Sequence, residues 1–206
     1  MAITYPLTLP THKGIAQITF RAINTVGTSV SPFTYAQQTV AHSGQRWEAD
    51  IKLPSMARDD AEQWIAFLVS LRGQLGTFSL GDPSGSTPRG SAGGTPLVNG
   101  ASQVGGTLTI DGCTASQTGW LKAGDYIQLG TGGSATLHKV LQDANSDGSG
   151  NVSLDIWPYI RTAPADDAAV TTSSAVGTFR LASNEQNWSV SEATIYGMTF
   201  GAVEVI

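Results

Sequence analysis

The stretch DANSDGSGN, Asp143 to Asn151, comes nearer to a ligating site than any other in this chain. Asp143, Asn145, Asp147 and Gly148 match the D-x-[DN]-x-[DN]-G opening of an EF-hand loop, whose alternate oxygens converge on Ca²⁺. The twelfth position of such a loop supplies a bidentate Glu. Here it is Leu154, and the flanks alternate like strands instead of helices. A hairpin turn is the simpler expectation, because Asn, Asp and Gly accept left-handed backbone. A calcium site on Asp143, Asn145 and Asp147 is the lesser alternative.

Other chemistry is harder to assemble. His12, His42 and His138 fall in neither an H-x-x-x-H nor an H-E-x-x-H spacing, so surface or packing roles are expected, with His42 beside a glycine turn. Cys113 has no neighbouring histidine and reads as a buried, inert thiol. GTGGS at Gly130–Ser134 is not followed by a helix, so it reads as a flexible hairpin loop and not as a phosphate cradle. Of the two Asp pairs, Asp59–Asp60 suits a helix start and Asp166–Asp167 falls in a connector. Trp47 and Trp64 lie at alternating and helical positions that predict core. Trp120 and Trp157 are the candidates for stacking on a sugar. No catalytic residue, cofactor site or secure metal site is expected.

Composition agrees. The 206 residues include 24 Gly and 9 Pro, with few charges and a formal net charge of -5. Thr, Ser, Gly and Val favour β-structure with tight turns. The eleven Lys and Arg are scattered, which argues against a nucleic-acid footprint. One cysteine excludes an internal disulfide and suits a reducing cytoplasm. The first residues lack the pattern of a secretory signal, and the longest apolar run, WIAFLV, is far too short to span a bilayer, so a soluble protein without membrane insertion is expected.

The elements that would position these residues are mostly strands. GIAQITFRAI alternates through Ile15, Ile18, Phe20 and Ala22, and FTYAQQTVAH and GQRWEADIKLP read as two further strands. In the last of these, Trp47, Ala49, Ile51 and Leu53 form a dry face opposite Arg46, Glu48, Asp50 and Lys52. A helix over 55–72 follows. Asp59 and Glu62 stand at capping-box spacing, Ala61, Trp64, Ile65, Leu68 and Leu71 make an apolar stripe, Arg72 stands in the last turn, and Gly73 suits the residue after the end. QLGTFSLGDP gives a short strand, and SGSTPRGSAGGTPLVNGASQVGG a connector. TLTIDGC, GDYIQLG, ATLHKVLQDA and NVSLDIWP are spaced like barrel strands. RTAPADDAAVTTSSAVG is a second connector, and TFRLAS, NWSVSEAT and YGMTFGAVEVI finish the chain as strands. GTFSL at 76–80 is echoed by GTFRL at 177–181, which predicts that the two are neighbours. Residues 1–82 and 177–206 are therefore expected to form one discontinuous domain, with 83–176 inserted as a small β-barrel with flanking connectors.

RWEADIKLP followed by DDAEQWIAFLVSLRGQLGTFSLGDP, and then TPRGSAGGTP, GWLKAGDYIQLG, LHKVLQDANSDGSGNVSLDIWP and TFRLASNEQNWSVSEATIYGMTFGAVE, resemble the distal and minor tail proteins of long-tailed, siphovirus-type bacteriophages. The resemblance covers most of the chain from about Gln45 onward. It implies a mainly β fold: a tail-tube-like β-sandwich with one packed helix, carrying the inserted barrel. It further implies a non-enzymatic virion protein, assembled in the bacterial cytoplasm, whose copies close into a ring, a hexamer foremost, between tail tube protein and tail tip or hub proteins. Phage DNA would pass through without specific binding. Two other readings stand beside it: a carbohydrate-binding host-adhesion module using Trp120 or Trp157, and, least favoured, a hydrolase with a site assembled from distant residues.

Overall fold

The computed structural model describes residues 2–11 and 14–206, so His12 lies outside the described residues. The protein is mainly β, with two sheets, one of them nearly closed like a barrel, and one packed α-helix. In chain order the elements are β1 Gln17–Val30, β2 Gln37–Lys52, α1 Arg58–Ser70, β3 Thr77–Leu80, β4 Gly94–Val98, β5 Gly105–Cys113, β6 Tyr126–Leu129, β7 Thr136–Val140, β8 Val152–Ile160, β9 Val170–Thr171, β10 Gly177–Leu181, β11 Trp188–Val190 and β12 Tyr196–Glu204.

The first sheet runs β1-β2-β12-β10-β3, with β11 pairing the start of β12. Strands from both ends of the chain build it. The GTFSL and GTFRL segments lie side by side and antiparallel, Phe78 opposite Phe179. Helix α1 covers part of one face. Trp64 packs near Phe67 and Phe200, and Phe67 meets Phe78 edge to face at 5.6 Å. Ala61, Trp64, Phe67, Leu68 and Leu71 are the buried helical residues, and Ile65 is only half-buried. Phe67, not Ile65, therefore completes the stripe.

The ends of the helix differ from the expectation. No side chain caps its start, where Ala57 is the N-cap, and Glu62 pairs with Arg58 instead. Met56 and Tyr196 exchange backbone hydrogen bonds, which holds the preceding residues extended and delays the helix from 55 to 58. At the other end Arg72 lies beyond the helix in left-handed backbone, as Gly73 does.

β2 also differs. The two strands expected over 33–54 are one strand of 16 residues, and His42 sits inside it rather than beside a turn. The glycine at 44 belongs to a bulge: Asn24 faces Gln45, but the next pair is Val26 with Ala41. The distal half of the β1–β2 hairpin, residues 26–41, is exposed on both faces. That wetness leaves residues 24–30 without the alternation that would extend the first expected strand, and Ala22 is exposed as well.

The second sheet runs β4-β5-β8-β7-β6-β9. Both connectors contribute strands to it, β4 and β9. The segment beside β9 returns to β4, with the Val98 N–H donating to Ala168 O at 2.9 Å and the Asp167 N–H to Val98 O at 3.0 Å. These bonds nearly close the barrel. The barrel does not stand clear of the first sheet: Tyr126 and Leu137 belong to the same buried cluster as Trp47, Phe179 and Leu181.

Candidate functional site

The sequence candidates separate in space. Asp143 Oδ1 accepts the Ala123 N–H, Asn145 Oδ1 accepts the Gly119 N–H, and Asp147 accepts the N–H groups of Ser149 and Asn151. The Asn151 side-chain amide, which donates to Asp147 Oδ2 at 2.9 Å, and these backbone N–H groups hold the Asp147 carboxyl below its ordinary range. Each side chain organises a different piece of backbone. Among the described residues no group of three or more His, Cys, Asp or Glu is placed to hold a metal.

Trp120 corrects the stacking expectation. It is fully buried in the barrel core, and its indole N–H donates to Gly93 O at 2.8 Å. Trp157 is half-buried, set edge-on against Trp47 at 4.5 Å, with its N–H on Asn24 Oδ1. Cys113 is buried, and desolvation pushes its thiol up to about 12. Asp166 accepts the Gly100 N–H, and the Asp59–Asp60 pair occupies the first turn of α1. The GTGGS loop forms a short 3₁₀ turn, Gly132–Ser134, that accepts from Thr178 Oγ1 of β10.

What the fold does assemble is a joint between the two sheets. Trp47 is its pivot: its backbone N–H donates to Glu204 Oε2 and its ring N–H to Leu137 O, both at 2.9 Å. Glu204 is only 5% exposed, and that burial raises its carboxyl to about 7 against the pull of the Trp47 N–H and Arg161. His138 is buried on β7. Its Nδ1 lies 2.7 Å from Pro158 O and its Nε2 2.9 Å from Thr136 Oγ1, so Nδ1 carries the proton and Nε2 accepts from the hydroxyl. Desolvation lowers this imidazole to about 4, so it is neutral near pH 7. Glu204, His138 and Arg161 line one cleft of about 500 Å³ with the 160–165 segment and the last two residues. A shallower, polar groove of about 520 Å³ lies on the open face of the first sheet, along Thr19, Asp50, Lys52 and Glu185.

Perturbed groups in a cleft mark a functional candidate. Ser134, Thr136, Tyr159 and Thr162 bring hydroxyl groups to the same cleft, both His138 nitrogens are already engaged, and Cys113 lies away in the barrel core.

The second feature is the arm, the distal β1–β2 hairpin. Phe33 and Tyr35 at its tip are 92% and 79% exposed, and Val26, Val30 and Val40 along it are exposed too. The tip is ordered: the Ser31 N–H donates to Ala36 O, the Tyr35 N–H to Ser31 O, and Ser31 Oγ lies 3.4 Å from the amides of Phe33 and Thr34. Tyr35 has φ 55°, a left-handed conformation that bulky residues seldom adopt. Sequence reading missed both features. Phe33 and Tyr35 passed as ordinary strand residues, and nothing near Glu204 in sequence announces its burial by a strand 157 residues away.

Compared with known proteins, the chain matches no protein-family model and no curated protein.

Proposed function

We propose that this chain is a non-enzymatic, self-associating structural subunit, acting as the ring protein of a bacteriophage tail tip that joins the tail tube to the tip complex. The carrying observation is the arm. A lone two-stranded ribbon is marginal in water, yet this one holds two large aromatic side chains almost wholly in solvent. Burying such a side chain is worth roughly 1.5–3 kcal/mol before ordering costs. An arm built this way fits a partner surface, and a second copy of the chain is the partner the reading commits to.

The sheet edges support it. The β3 edge is covered, because the Leu7 N–H donates to Thr77 O and Leu7 O accepts the Ser79 N–H. β1 forms the opposite edge over 14 residues, with Arg21 as its one charged residue. Long edges with so little charge favour pairing between chains. A closed cyclic arrangement repeats one contact around the ring and leaves no loose end. On the open face, Arg21 pairs with Asp50 and Glu48, and Arg46 with Glu48. Self-neutralised charge of this kind suits a channel wall along which DNA slides.

The sugar-binding reading loses Trp120, whose ring is buried. Sedimentation velocity over a concentration series tests the ring reading. The intact chain is expected to associate, and a variant with residues 26–43 replaced by Asn-Gly to stay monomeric while keeping its melting transition. An intact chain that remains monomeric throughout would remove the proposal.

A further inference from the structure

We propose that the cleft at the joint is a socket for the arm tip of a neighbouring copy, so that Phe33 and Tyr35 of one subunit seat beside Arg161 and Glu204 of the next. This rests on the reading of the chain as a ring subunit and says where its contact is made.

Placement is the first argument. The root of the arm is fastened beside the cleft: the Trp157 ring N–H donates to Asn24 Oδ1, and the Tyr159 N–H to Gln45 Oε1, at 2.7 and 2.8 Å. The chain from Pro158 to Pro164 then lines the cleft. From Asn24 the ribbon runs six residues further to Val30, about 20 Å at strand rise. No residue of the ribbon lines the subunit's own cleft, and both tip aromatics remain in solvent. Tip and cleft are different surfaces set apart on one subunit. A contact between them across two copies is heterologous, the kind that closes into a ring. The bulge at Thr25 and His42–Gly44 sets the angle at which the arm leaves, since bulges bend a strand and add twist.

Chemistry is the second. Ser31–Ala36 carries no charge, so it enters an apolar-walled space without stranding an ion. Leu129, Ile160, Pro164 and Ala165 supply that wall, and about 500 Å³ has room for two aromatic side chains. Arg161 makes no hydrogen bond or ion pair among the described residues, although its charge acts on Glu204 and His138. A guanidinium so placed attracts an aromatic face. Glu204 offers a carboxyl to the Tyr35 hydroxyl. The ordered tip and the left-handed Tyr35 are the third argument: the aromatic pair is held in its presenting shape before binding, which lowers the ordering cost.

Disulfide trapping in the full-length chain tests this. One preparation carries Tyr35→Cys and another Ala165→Cys; Cys113 stays, buried. Mixed under mild oxidation, the two are expected to give covalent tip-to-socket dimers, and one chain bearing both substitutions a ladder ending in a closed species. Phe33→Ser/Tyr35→Ser, exposed changes that leave the fold intact, is expected to raise the association midpoint by about tenfold or more. If the chain associates but no such disulfide forms and the double serine variant associates normally, the socket belongs to another occupant and this inference fails alone. If the chain does not associate at all, the ring reading fails with it.

Discussion

Glu204 and His138 show how two buried titratable residues can hide one another. Glu204 is raised to about 7, so its contribution is fully present below its unfolded pKa and is lost as pH climbs through 7. His138 is lowered to about 4, so its penalty is absent above its unfolded pKa of about 6.5 and grows as pH falls toward 4. Over roughly pH 4.5–6.5 the two slopes oppose, and the intact protein is expected to show a nearly flat stability profile. Glu204→Gln, which still accepts the Trp47 N–H, should uncover the His138 slope, stability rising from pH 4 to 6.5. His138→Gln should uncover the reverse, stability falling toward pH 7. Urea midpoints at half-unit pH steps check both, and a flat profile in either variant contradicts the assignment. Asp125 is a quieter case. Its buried carboxylate accepts the N–H groups of Arg89, Gly90 and Lys122, tying the first connector to the barrel. Asp125→Ala leaves three donors unpaired and is expected to cost about 2–4 kcal/mol in denaturant unfolding. Neither role was legible beforehand. An Asp in GDYIQLG looks like any turn residue, and two of its three partners, Arg89 and Gly90, lie 36 and 35 residues upstream.

At the scale of elements, helix α1 was legible because its apolar stripe is local, and so was the β3–β10 pairing, because GTFSL and GTFRL share their pattern. Trp64 is the centre of that helix and is fully buried. Trp64→Ala should cost about 3–5 kcal/mol by calorimetry or urea, far more than truncating exposed Val69. The helix start was misread because capping logic sees only neighbouring residues, whereas Met56 is held by Tyr196 from the far end of the chain. The connectors hid β4 and β9 for a related reason. Their backbones pair with barrel strands while their sequences are dominated by small residues, Gly and Ser in the first and Ala, Ser and Thr in the second, so partners, not propensity, make them strands. The arm was legible only in its second strand, because alternation requires one dry face and beyond Asn24 neither face of β1 is dry.

At the scale of the molecule, the two sheets share one buried cluster around Trp47, which two hydrogen bonds hold, with a cleft beside it and an arm leaving from the same place. The mainly β architecture with one helix and a barrel-like second sheet could be read from spacing and turn chemistry. The exposed aromatic tip could not, because in sequence Phe33 and Tyr35 look like ordinary strand residues and only the fold shows them in solvent. The measurement that tests the central claim most directly is electron microscopy of the purified chain at high concentration. Class averages are expected to show closed rings with rotational symmetry and a central opening, and chains with the arm removed to give only single subunits. A field of isolated subunits at every concentration, with or without the arm, would contradict the account.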